Sequence, residues 1–164
     1  MGGQNVGRGI LKTEILVRRS RMEASAAEVY AWHALPDALE KLTPPGELVK
    51  IIEKTGGIER GARVVLDVGN WPFRQRWVAV HGDLEVGHFF TDQQVSGPFA
   101  YWKHTHTFEP QGPAASILED RVEYALPFGF LGRWFGGGIV RRKLERLFKY
   151  RHQATARELN VAKR

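Results

Sequence analysis

The sequence predicts an α+β fold: one curved antiparallel sheet of about seven strands wrapped around a long C-terminal helix, with two short helices after the first strand. Three observations predict it. Short strand-like segments recur through the middle of the chain with turn residues between them. The apolar repeat lengthens to the helical period after Pro127. A helix start is written into Ser25-Ala-Ala-Glu28, where a cap residue is followed three positions later by Glu.

The first strand is expected over Lys12–Met22, and the first helix over Glu23–Trp32 with Ser25 as its cap. Leu35-Pro36-Asp37 breaks that helix, Asp37–Leu42 forms a second, and Pro44-Pro45-Gly46 closes the unit. Strands follow over Glu47–Lys54, Ala62–Asn70, Phe73–His81, His88–Val95, Tyr101–Phe108 and Ser116–Leu126. Breaks are expected at Gly56-Gly57, Gly61, Gly69-Asn70, Gly82-Asp83, Gly97-Pro98 and Pro110–Pro113. The terminal helix is expected over Ile139–Asn160, with Val140, Leu144, Leu147 and Arg151 on one face and Phe148 beside it. Gly136-Gly137-Gly138 should break or kink any helix begun earlier. A flexible N-terminus over residues 1–10 then precedes a single domain over 11–160.

Composition narrows the chemistry. The 164 residues contain no cysteine, which excludes disulfides, thiolate metal ligands and a cysteine nucleophile. No apolar run approaches the ~20 residues of a membrane span, and the N-terminus has neither the apolar core of a signal peptide nor a myristoylation pattern. A cytoplasmic location is the expectation. The net charge of +6 is not evenly spread: residues 141–164 carry nine Lys/Arg against two acids, and the remainder is close to neutral. The basic character belongs to one helix.

The chain resembles the START-like or SRPBCC superfamily, whose members share the helix-grip fold, and within it the cyclase/dehydrase-like ligand-binding group. The residues carrying the resemblance are Phe90-x-Asp92-x-Gln94, Gly97-Pro98-Phe99, Trp102-x-His104-x-His106-x-Phe108, Asp120-x-Val122-x-Tyr124-x-Leu126-Pro127 and Phe148-x-Tyr150-Arg151-His152. The resemblance implies a cavity between sheet and C-terminal helix that holds a hydrophobic small molecule of the lipid, polyketide or aromatic-metabolite class. Some members are cyclases or dehydratases and many only bind or carry. It supplies no invariant catalytic set.

The residues themselves suggest a polar cluster. Side chains two apart share a strand face, so Trp102, His104, His106 and Phe108 point one way. Phe90, Asp92 and Gln94 do so on the preceding strand, and Leu118, Asp120, Val122 and Tyr124 on the following one. The expected ligand contacts are Phe90, Asp92, Gln94, Trp102, His104, His106, Phe108, Asp120, Tyr124, Leu144 and Phe148. A binding site is the first expectation, with His104, His106 and Asp120 fixing the polar end of the ligand. The enzyme alternative makes His104 or His106 a general acid or base oriented by Asp120. No metal and no cofactor are expected: His104-x-His106 is near cupin spacing, but Glu109 falls on the opposite face.

Other features have plainer uses. Trp71, Phe73, Trp77, Trp102 and Trp134 belong to an aromatic-rich interior. The stretch Phe128–Gly138 suits a lid, a membrane-touching loop or a loop tucked on the sheet. Arg141-Arg142-Lys143, Arg146, Lys149 and Arg151 read as a solvated face. An anionic membrane surface is the alternative partner, making the chain a membrane-surface interaction module. Nucleic acid is disfavoured, because no binding motif accompanies the charge.

Overall fold

The structure is a computed structural model that describes residues 12–69, 72, 74–127 and 129–161, with nothing said of side chains 129–135. Seven strands form one antiparallel sheet: β1 (Glu14–Met22), β2 (Val49–Thr55), β3 (Arg63–Val68), β4 (Gln75–Glu85), β5 (Phe89–Ser96), β6 (Tyr101–Pro110) and β7 (Ser116–Ala125). The order across the sheet is β1-β7-β6-β5-β4-β3-β2, so β2 to β7 run as a meander and β1 closes against β7. Helices α1 (Ala26–His33) and α2 (Ala38–Lys41) follow β1, and α3 (Gly129–Val161) ends the chain. α3 packs against β1, β7 and α1. The helix-grip architecture expected from the sequence is the one observed.

Local chemistry explains the element boundaries. Ser25 caps α1 reciprocally: its Oγ accepts from the Glu28 amide at 3.3 Å, and its own amide donates to Glu28 Oε2 at 2.7 Å. Replacing Ser25 by Ala should therefore cost about 1 kcal/mol in urea unfolding; an unchanged midpoint would show that packing alone holds α1.

Two expectations need correction. Gly82-Asp83 does not end a strand. β4 continues to Glu85 through a register shift between His81 and Leu84, and the turn comes at Val86-Gly87. The missing side chain at Gly82 is what permits the bulge, since a Cβ there would lie 2.8 Å from Thr91 Oγ1. Nor do Gly136-Gly137-Gly138 interrupt a helix: α3 begins at Gly129 and runs unbroken through them. A glycine costs a helix interior only ~1 kcal/mol, which the packing of a 33-residue helix can offset. The lid-or-loop expectation thus becomes the first turns of α3 from Gly129 onward. Residues 1–10, Trp71 and Phe73, and the side chain of Trp134 lie outside the described residues.

The terminal helix also presents a different face from the expected one. Leu144, Phe148, His152, Thr155 and Leu159 are buried, while Leu147 and Arg151 sit at the margin. Two apolar clusters result. One joins Leu16, Trp102, Val122, Tyr124, Leu144 and Phe148. The other joins Met22, Val29, Trp32, Phe90, Phe108, Leu118 and Leu159. On β6 the two histidines fall between these clusters, as Asp120 does on β7 and His152 on α3.

Candidate functional site

Strand alternation sets which side chains face inward. Every second residue of β6 from Trp102 to Phe108 is buried, and every second residue of β7 from Ser116 to Tyr124. Register then sets neighbours: Asp92 pairs with His104, His106 pairs with Asp120, and His104 pairs with Val122. Asp92, His104, His106 and Asp120 consequently meet on the inner face.

Asp120 is the hub. His104 Nε2 donates to its Oδ1 at 3.0 Å, and His152 Nε2 of α3 donates to its Oδ2 at 3.0 Å. His106 Nδ1 lies 2.8 Å from Oδ1, but the carboxylate is off the N–H direction, so this is a charge contact and not a hydrogen bond. On the other side Asp92 Oδ2 lies 3.1 Å from His104 Nδ1 and 3.7 Å from His106 Nε2. Trp102 Nε1 donates to Asp92 Oδ1 at 3.4 Å.

Both ring nitrogens of His104 thus face carboxylates, which only an imidazolium can satisfy with two donors. Burial alone would lower its pKa, but the charges of Asp92 and Asp120 outweigh it and push it up to about 9. Burial would likewise raise both carboxyls, and the histidines hold Asp92 and Asp120 well below the usual range instead. His33 is the opposite case. It donates from Nδ1 to the Val29 carbonyl at 2.8 Å, and burial next to His106 pushes it down to about 3, so it stays neutral.

These shifts fix the pH response of the metal-free chain. The His104 contribution is complete below its ordinary value of 6.5 and is lost as pH rises toward about 9. Thermal unfolding between pH 6 and 10 should show a falling melting temperature, and His104→Gln should flatten that limb. An equally steep limb in the variant would contradict the assignment.

Sequence reasoning missed three members of the cluster. His33 follows Val29 by one helical turn, and His152 follows Phe148 by one turn. Arg151 places its guanidinium 5.3 Å over the Phe148 ring, and burial lowers its pKa against the pull of Asp120 and Asp92. Gln94 was expected in the cluster and is not there. Its side-chain amide donates to the Phe99 carbonyl at 2.7 Å and braces the β5–β6 turn. Tyr124 is fully buried and donates its hydroxyl to Glu14 Oε2 at 3.0 Å; burial, then Glu14, push its pKa up to about 12.

A cavity of about 590 Å³ opens between β1 and α3. Leu16, Val17 and Phe148 give it an apolar floor, and Arg18, Arg141, Arg142, Arg146 and Lys149 rim it with Glu145. Of the expected ligand contacts only Phe148 lines this space. Trp102, Tyr124 and Leu144 pack behind it with Leu16 and Phe148, whereas Phe90 and Phe108 belong to the other apolar cluster. Phe148 is the partition: its ring meets His104 edge-on at 5.0 Å between centroids. For a metal, Asp92, His104 and His106 offer donor atoms within 4.8 Å of one another.

Among the described residues no helix is long and apolar enough to cross a membrane. A family model described as polyketide cyclase/dehydrase and lipid transport matches residues 22–148. Among solved structures, norcoclaurine synthase of Thalictrum flavum, a point mutant in complex with a transition state analogue, superposes with a TM-score of 0.74. It is 15% identical over 93% of this chain and 98% of that one. A START superfamily protein of Mycobacterium smegmatis gives 0.67 at 13% identity, over 90% and 98% of the two chains. The Zhui aromatase/cyclase of Streptomyces sp. R1128 gives 0.66 at 16%, over 93% and 97%. These likenesses concern the fold. No curated protein matches the chain in sequence.

Proposed function

Since the chain belongs to the polyketide cyclase/dehydrase and lipid transport family, we propose that it binds a hydrophobic small molecule between its sheet and its C-terminal helix. The observation that carries this reading is the cavity between β1 and α3. Its volume of about 590 Å³ falls in the ~300–1,000 Å³ range of small-molecule sites, and Leu16 and Phe148 make its floor apolar. The cationic rim suits a ligand with one polar or anionic end. Behind the floor, Trp102, Tyr124 and Leu144 pack against Leu16 and Phe148, and the Asp120 network ties β6 and β7 to α3.

A second reading is a cyclase or dehydratase in which His104 or His106 moves a proton and Asp120 orients the ring. The Phe148–His104 contact favours it, because one aromatic ring separates the cavity from an imidazolium. Displacement of that ring by a bound substrate would bring the acid within reach.

Val17 lines the cavity and is 47% exposed, so bulk can be added there without overfilling the core. Val17→Trp should weaken binding of the apolar fluorophore aminoanthracene at least tenfold with the melting temperature retained. Unchanged affinity would place the ligand elsewhere.

A further inference from the structure

The Asp92, His104 and His106 donors have a geometry that the binding reading does not use. Two ligand atoms about 2.1 Å from one ion, at tetrahedral or octahedral angles, lie roughly 3.0–3.4 Å apart. Asp92 Oδ2 is 3.1 Å from His104 Nδ1 and 3.7 Å from His106 Nε2. The third separation stays within 4.8 Å.

The far side of each ring matters as much. His104 Nε2 and His106 Nδ1 are both turned to one oxygen, Asp120 Oδ1, at 3.0 and 2.8 Å. A histidine that ligates a metal ordinarily hands its other N–H to a carboxylate, which fixes its tautomer and its aim. Asp120 does this for His104, whose Nε2 donates to it while Nδ1 faces Asp92. The remaining Asp92 oxygen has its own donor in Trp102 Nε1. A fourth position is near: His81 pairs with Asp92 across β4 and β5, and its Nδ1 is buried without a partner.

We propose that Asp92, His104 and His106 form a binding site for a divalent transition metal, with Asp120 positioning the His104 imidazole. Two imidazoles and one carboxylate suit zinc, ferrous iron or cobalt, and not calcium or magnesium, which take oxygen ligands. The ion occupies the place that a hydrogen on His104 Nδ1 occupies in its absence, and that proton leaves to solvent. Its two positive charges face two buried carboxylates, so the site does not bury uncompensated charge. This departs from the sequence expectation of no metal, because cross-strand pairing brings Asp92 to the histidines from a strand that cupin spacing does not consider.

The test uses the full chain stripped with a chelator, then dialysed against cobalt or zinc alone, with bound metal measured by elemental mass spectrometry. One ion per chain is expected, with visible cobalt bands. His106→Gln should lose at least tenfold in affinity, and Asp120→Asn about 10–100-fold as a positioning residue. Glu109→Gln, on the exposed face, should bind as the parent does. No retained metal, or binding that His106→Gln leaves unchanged, would overturn the site. If His106→Gln fails to fold, X-ray absorption on the cobalt-loaded parent decides: two imidazole ligands support the proposal, and none refutes it.

Discussion

Replacing Asp120 by Ala is expected to cost about 3–5 kcal/mol, the loss typical of a buried charge network stripped of one partner. Asp120 is 2% exposed and takes contacts from His104, His106 and His152. Without it, the N–H groups of His104 and His152 lose their acceptors and His104 loses one of its two counter-charges. The polar layer between the two apolar clusters then has no centre. In a domain of this size the melting temperature should fall by about 10 °C. Asp120→Asn keeps one acceptor oxygen and should cost less. Calorimetry of both variants checks the order, and an Asp120→Ala chain within about 1 kcal/mol of the parent would show that the hub is dispensable.

Phe148→Ala should be comparably damaging, for a different reason. The ring is fully buried, lies in the Leu16–Trp102–Tyr124 cluster and contacts His104. Large-to-small truncation of this kind costs about 3–5 kcal/mol through lost burial and the void left behind. The void would also join the cavity to the cluster. His104 should then meet solvent, and its proton should exchange faster by nuclear magnetic resonance. A loss of stability with unchanged His104 exchange would mean that Phe148 is packing only, and would remove the support for the catalytic reading.

The two variants separate what was legible in the sequence from what was not. The period of two on β6 and β7 is unusually clean, so the inward placement of Trp102, His104, His106, Phe108, Asp120 and Tyr124 followed from alternation alone. Adjacency of consecutive strands then brought in Asp92. Gln94 shares the Asp92 parity but fails, because it sits where β5 gives way to a turn and its amide is consumed by the Phe99 backbone. His152 is hidden by its polarity, because a buried histidine reads as a gap in the apolar face of α3, and His33 ends a helix too short to show a repeat. The partner of His152, Asp120, lies distant in sequence, and no local pattern announces that contact. The glycines misled in both directions. Gly82 looked like a strand end and is a bulge, and Gly136-Gly137-Gly138 looked like a break and lies inside α3. The lining contributed by Leu16, Val17 and Arg18 carries no motif in the sequence, because these residues lie on the edge strand β1.

An apolar molecule is expected to occupy the space between β1 and α3. Nitrogen-edited amide NMR of the full chain, titrated with aminoanthracene, tests it residue by residue. The expected result is a saturable shift of the amides of Leu16, Val17, Arg18, Leu144 and Phe148, abolished in Val17→Trp. Shifts confined to the β2–β4 end of the sheet, or no saturable shift, would contradict it.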